Sequence, residues 1–342
     1  MSATPATPVE RRYLERSFSF KVLSETKWRR SVKFRITLLY GENPMNVQNV
    51  QPAATWKERL TAAFPFTLLL VLTVPILVGY VWIVISTFSR STYGLEPQGR
   101  LTLQNWSFLW NDPKIWEVTL NTVILSIGQT VSVVFISALA GYALSRISFP
   151  GRKTFLSLTL ILHAFPSVTL LIAIYFVLRW ITRVPVVGND LPVIGGFGYN
   201  TIGGVILVQL ALQLPLGVWL MKGFFDNVSW DMQRAALIDG CSHFRAWWQI
   251  ILPVIRPGVA ALAIFSFITA WGSFLIPYTF ITDQENSVLA AYLRGLMGET
   301  APVSYSTVAA VGLFQLIPVM IFFIFTQEYL MNIFAGGSKG GI

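Results

Sequence analysis

Six long runs without a charged side chain constrain this chain more than any other feature: Thr61–Ser89, Val118–Ser145, Thr154–Leu178, Leu191–Met221, Pro257–Thr282 and Thr300–Gln327. Each exceeds the roughly 20 residues a helix needs to cross a hydrocarbon core about 30 Å thick. In lipid every backbone polar group must be satisfied internally, which leaves helices or a closed barrel. The ten-residue segments of alternating polarity that mark a barrel are absent from these runs. Of 342 residues 54% are hydrophobic and only 12% charged, too little polar surface to wrap a soluble domain of this size. The expected fold class is therefore all-α, a polytopic membrane protein with six transmembrane helices.

The single cysteine, Cys241, excludes an intramolecular disulfide, and no cysteine or histidine cluster has metal-ligand spacing. The net charge of +9 is read as orientation rather than as a nucleic-acid surface. If the amino terminus is inside, six of the 25 Lys and Arg fall outside: Arg90, Arg100, Lys114, Arg179, Arg183 and Arg294. The rest lie in the first sixty residues or beside the inner ends of the spans, which favours both termini in the cytoplasm. Residues 1–60 are expected to be a basic cytoplasmic arm, disordered or amphipathic in part, with Phe18–Tyr40 suited to anionic lipid. Residues 61–335 form the membrane domain, and residues 336–342 a cytoplasmic tail.

Prolines interrupt most runs, at Pro65, Pro75, Pro166, Pro215, Pro277 and Pro318. Freed carbonyls of that kind are tolerated beside neighbouring helices or a watery cavity, so a bundle with a pathway through it is expected. Trp106, Trp110 and Trp116 in the loop after the first run suit interfacial anchors.

One charged island separates the fourth and fifth runs, Trp230–Pro253, WDMQRAALIDGCSHFRAWWQIILP. Ser229 can cap a short helix starting near Asp231, with Met232, Ala235 and Ala236 at the spacing of one face, and Gly240 stops it. A second short helix spans roughly Ser242 to Ile250, and Pro253 closes the unit. Two helices joined by a glycine turn make a low knob that another protein's groove can approach.

Here a resemblance enters. Ala235-Ala236, then Asp239-Gly240, Ile250 and Leu252-Pro253 resemble the EAA signature of permease subunits of binding-protein-dependent ABC importers. Arg234 stands where the signature has its glutamate. Ala140-Gly141-Tyr142-Ala143-Leu144-Ser145-Arg146, Phe149-Pro150-Gly151-Arg152 and the ending Ala335-Gly336-Gly337-Ser338-Lys339-Gly340 are similar to carbohydrate permeases of the maltose type. The resemblance implies a cytoplasmic coupling-helix loop over residues 225–255. Arg234, Ala235, Ala236, Asp239, Gly240, Ile250, Leu252 and Pro253 would face an ATP-binding subunit. It also implies a second permease subunit, two ATP-binding cassette subunits and an extracytoplasmic solute-binding protein as partners, at the bacterial cytoplasmic (inner) membrane. ATP and Mg would be held by the partner ATPases and no cofactor by this chain, which would be a transport subunit without catalysis of its own.

The residues agree with that independently. Gly151-Arg152-Lys153-Thr154 lacks the glycines of a phosphate-binding loop. No run carries an internal Asp, Glu, Lys or Arg of the kind that proton- or sodium-coupled carriers place mid-membrane. A secondary carrier or channel remains the alternative from another class, and an importer of polyamine, phosphate or another small solute the alternative within the family. The neutral polar groups Asn121, His163, Gln209, Gln213, Trp271 and Ser273 are candidates to line a sugar path, with interhelical hydrogen bonding as their alternative role. The loop after Asp283, as far as Thr300, is expected to dock the solute-binding protein.

Overall fold

A computed structural model describes residues 56–93, 96–297 and 304–337. The amino-terminal arm and the final tail residues 338–342 lie outside the described residues. The chain falls into two units, residues 1–74 and 75–342. The described part of the first is the start of α1, Trp56–Thr87.

Helix α1 runs into an antiparallel ribbon of β1, Ser89–Tyr93, and β2, Glu96–Leu101, with Ser89 opposite Leu101 and Thr92 opposite Pro97. The loop holding the three tryptophans is thus partly a strand pair. Trp106 is half-buried, packed between Phe88 and Phe108 with ring centroids about 6 Å away on either side. Trp110 and Trp116 are exposed.

Two long helices carry the bundle. α2, Lys114–Arg146, packs along α5, Ile202–Asp226. At Gly141 the approach is close enough that a Cβ would stand 2.8 Å from the backbone nitrogen of Lys222. In the chain between them come α3, Arg152–His163, and α4, Leu171–Ile181, which are bent by 92° at the proline-interrupted third run. Pro166 explains the break, since it has no N–H to donate and disfavours helical backbone at Phe165.

The fourth run departs from expectation, because Leu191–Asn200 is not helical. Val193 and Asn200 have positive φ, and Thr201 caps α5 by accepting a hydrogen bond from the Gly204 N–H. Residues 182–201 instead form turns at the end of the bundle away from the knob.

After the knob, built from α6, Trp230–Ile238, and α7, His243–Ala246, comes α8, Arg256–Trp271, only 16 residues long. It breaks at Gly272-Ser273, four residues before Pro277, and resumes as α9, Leu275–Phe280. A short α10, Leu289–Gly295, leads toward α11, Tyr305–Gly337. Among the described residues four helices are long and apolar enough to cross a membrane, and two bent pairs could each add a span: α3 with Ser167–Ile181, bent by 92°, and His243–Val254 with α8, bent by 78°.

The core has two ends. Leu125, Ile202, Val205, Ile276 and Phe280 pack together toward one end, and Met221, Phe225, Val228, Trp247 and Ile251 toward the other. The second cluster unites the knob with the bundle.

Candidate functional site

The knob's local structure follows from its caps. Ser229 Oγ accepts a hydrogen bond from the Asp231 N–H at 3.2 Å and starts α6, while the Asp231 carboxylate favours the positive end of the helix dipole. α6 ends in a glycine cap: the Cys241 N–H donates to the Ala236 carbonyl, the Gly240 N–H to that of Leu237, and Gly240 has φ +85°. No atom lies within 4 Å of where a Cβ on Gly240 would sit, so backbone conformation alone requires glycine there. Ser242 Oγ then accepts from the Arg245 N–H, which starts α7. The chain continues through a π turn over Trp247–Ile251 into Leu252–Val254, where Pro253 has no N–H to give to the Gln249 carbonyl.

The eight expected coupling residues divide by face. Arg234, Ala235, Asp239 and Gly240 are exposed; Ala236 is buried; Ile250, Leu252 and Pro253 are half-buried. Met232, Ala235 and Ala236 fall on one side of α6 by spacing but differ in burial, with only Ala236 turned into the bundle. Gln233 and Ala236 are buried, and Met232 and Ala235 are exposed. Arg234 lies 3.7 Å from the Asp231 carboxylate, a solvated pair of modest worth. The reversed charge thus has a local counterion on its own helix. Ile238, at 85% exposure, and the exposed Phe244 and Trp248 add apolar surface, while Trp247 and Ile251 anchor the knob in the core.

Three residues that position the knob carry no role in the sequence reading. Gln233 Nε2 donates to Tyr142 Oη at 2.9 Å. Arg146, at the end of α2, donates to the carbonyls of Phe225 and Val228, and its guanidinium lies 4.6 Å from the Trp230 ring centroid. Tyr142 and Arg146 are four apart, hence on one face of α2. That spacing, with Gln233 as the polar residue amid the apolar positions of α6, was the available signal. Beside them Ser145 Oγ donates to Asp226, which also pairs with Lys222.

The six path candidates are not one cluster. Gln129 Nε2 donates to Gln213 Oε1 at 2.6 Å, and Gln213 Nε2 donates to Ser266 Oγ at 3.1 Å, joining α2, α5 and α8. Gln209 Nε2 donates to Ser273 Oγ at the break between α8 and α9. Gln129, Gln209 and Gln213 are buried, and the carbonyl oxygens of Gln129 and Gln209 find no protein donor. Trp271 Nε1 donates to the Gln315 carbonyl of α11. His163 Nδ1 lies 2.9 Å from the Leu212 carbonyl, so the break after α3 sits against the turn of α5 that precedes Pro215. Asn121 is at the end away from the knob, donating to the carbonyls of Glu285 and Ser287. A cavity of about 560 Å³ is lined by Trp82, Ile268, Trp271, Tyr305 and Gln315 among others; its walls are apolar, and Trp271 is the path candidate that lines it.

At that end the loop 281–288 is strapped down. Asn200 Oδ1 accepts from the Thr282 and Asp283 N–H groups, its Nδ2 donates to Asp283, and Lys114 Nζ donates to Gln284. Tyr292 Oη donates to Asp112 at 2.6 Å, and burial together with that carboxylate pushes its phenol above the usual tyrosine range. Residues 298–300 of the expected docking segment lie outside the described residues.

Residues 133–331 match the family described as binding-protein-dependent transport system inner membrane component. The chain is 30% identical over 297 residues to the diacetylchitobiose uptake system permease protein NgcG of Streptomyces coelicolor, covering 84% of this chain and 91% of that one. It is 27% identical over 288 residues to the maltodextrin transport system permease protein MalD of Streptococcus pneumoniae, covering 83% and 98%. To the maltose/maltodextrin permease protein MalG of Salmonella typhimurium it is 31% identical, covering 68% and 72%. A solved bacterial ABC transporter involved in alginate import shares the fold, with a TM-score of 0.67 at 17% identity over 82% of this chain and 99% of that one.

Proposed function

This chain belongs to the binding-protein-dependent transport system inner membrane components, and from that premise we propose that it is the permease subunit of an ATP-driven importer of a sugar or sugar-like polyol. The observation that carries the reading is the knob: two capped helices that present Arg234, Ala235, Ile238 and Asp239 outward while Trp247 and Ile251 are buried in the bundle. Such a unit can receive a partner's movement without unfolding.

In this reading the chain binds no cofactor, and ATP and Mg belong to two partner ATPase subunits, each of which pulls one knob. A second permease subunit completes the pathway, and the two bundles rock so that a central site exchanges outside for inside exposure. An extracytoplasmic solute-binding protein docks at the strapped loop 281–288. Both termini lie in the cytoplasm. The sugar class is supported by the names of the relatives, which concern chitobiose, maltodextrin and maltose. It also fits the neutral amides Gln129, Gln209 and Gln213, which match hydroxyl-rich solutes better than ions. Gln209, Gln213, Ser273, Asn121, His163 and Trp271 remain the proposed path residues.

The test is uptake into proteoliposomes holding both permeases, with loaded binding protein outside and ATP inside. Uptake should require the ATPase subunits. Uptake that persists when they are omitted contradicts the reading, and loss of uptake with every sugar and polyol but not with an amine or phosphate contradicts the solute class.

A further inference from the structure

The knob must be tied to the bundle by something stiffer than chain connectivity, and the inner end of α2 supplies it. Arg146 Nη2 donates to the carbonyls of Phe225 at 3.1 Å and Val228 at 2.8 Å, at and just beyond the end of α5, where the Phe225 carbonyl also accepts from the Val228 N–H. The positive guanidinium at this helix carboxyl end is favoured by the helix dipole. The same guanidinium lies over Trp230, the first residue of α6, and no carboxylate pairs with it among the described residues. One turn earlier Tyr142 accepts from Gln233 in α6, and its ring meets Phe225 of α5 edge-on at 5.5 Å and Trp247 at 6.3 Å. A single turn of α2 therefore touches α5, α6 and the segment following α7.

We infer that Arg146 is a positioning residue of the transport cycle, fixing the knob's first helix to the second span so that displacement of the knob moves α2. Two features separate this from a merely stabilising contact. The link holds two carbonyls through Nη2 while the planar guanidinium lies over an indole ring, a combination an ammonium group reproduces only in part. It also reaches the knob at Trp230, where α6 begins, so it constrains the knob's angle as well as its attachment. Arg146 Nε and Nη1 are buried without a protein partner, so the held orientation is set by Nη2 and the ring.

This inference rests on the importer reading, and the experiment separates the two. In the reconstituted full complex, sugar uptake and ATP hydrolysis are measured together for wild type, Arg146→Gln, Arg146→Lys and Trp230→Leu. The wild type reports on the importer reading: absence of ATP-dependent uptake there refutes that reading by itself. For the variants the readout is ATP hydrolysed per sugar carried. Arg146→Gln and Trp230→Leu should raise it about tenfold, the scale of losing a charge-assisted hydrogen bond, and Arg146→Lys should restore part of the loss. An unchanged ratio, with uptake and hydrolysis falling together or both normal, overturns the inference. If Arg146→Gln does not assemble, Trp230→Leu decides on the same criterion, and failure of both to assemble assigns the contact to stability alone and overturns it as well.

Discussion

Gly141 of α2 lies against the backbone of Lys222 in α5, with room for a hydrogen atom and none for a methyl group: a Cβ there would stand 2.8 Å from the Lys222 nitrogen and from the Met221 Cβ. The two long helices are thus in backbone contact one turn above the knob. Gly141→Ala should lower stability by about 1–3 kcal/mol, the usual cost of overpacking, and Gly141→Leu by more. Thermal melts of the purified complex check this, and an unaltered melt for the leucine variant would show that the helices are not so close.

At Gly240 the requirement is conformational, because φ is +85° and the space around it is open. Gly240→Val should cost about 1–2 kcal/mol or more locally and leave a complex poorly assembled or unresponsive to loaded binding protein. Gly240→Asn, which tolerates this backbone, should retain most of the response. Equal behaviour of the two variants, measured as stimulated ATP hydrolysis, would contradict a turn held by its φ value.

The Gln129, Gln213 and Ser266 chain offers a test between bonding and transport. Gln213→Leu strands a buried amide on α2 and a hydroxyl on α8, which should lower stability by about 1–3 kcal/mol. If Gln213 also contacts solute, the apparent KM for uptake rises in the variant that still assembles. A normal melt with a normal KM would remove both roles.

Tyr292 gives a pH expectation. Its pKa is raised, so its contribution is fully present below the unfolded value near 10 and is lost only as pH climbs through the higher folded value. Between about pH 6 and pH 9 the cost of Tyr292→Phe should therefore be constant, about 1 kcal/mol for the hydrogen bond to Asp112. A cost that shrinks across this interval, followed by melts at several pH values, would mean that the phenol ionises early.

The caps of the knob were legible in the chain, because Ser229, Gly240 and Ser242 act on their own neighbours through local backbone hydrogen bonds. The same holds for the number of apolar runs, which composition sets. Runs do not report path, however. Thr154–Leu178 is bent by 92° at Pro166, and Leu191–Asn200 is turns rather than helix, because an apolar stretch pays no visible penalty for leaving the helix at an end where other loops take its hydrogen bonds. Ala235 and Ala236 were read as one face, but consecutive helical positions diverge by about 100° and only the second turns inward. Trp106 suits a membrane interface by type, while its packing on Phe88 and Phe108 is tertiary and shows only in the fold. The spacing of Tyr142 and Arg146 puts them on one face of α2, but the partners of Arg146, the carbonyls of Phe225 and Val228, lie about eighty residues away and only the fold identifies them.

The central claim is that the outward face of the knob receives an ATP-binding subunit, and crosslinking tests it most directly. With Cys241 replaced by serine, a single cysteine at Ala235 carrying a short photoreactive label should join the ATP-binding subunit in the assembled, transporting complex. Labelling of the solute-binding protein, or no crosslink in a complex that still transports sugar, would contradict the account.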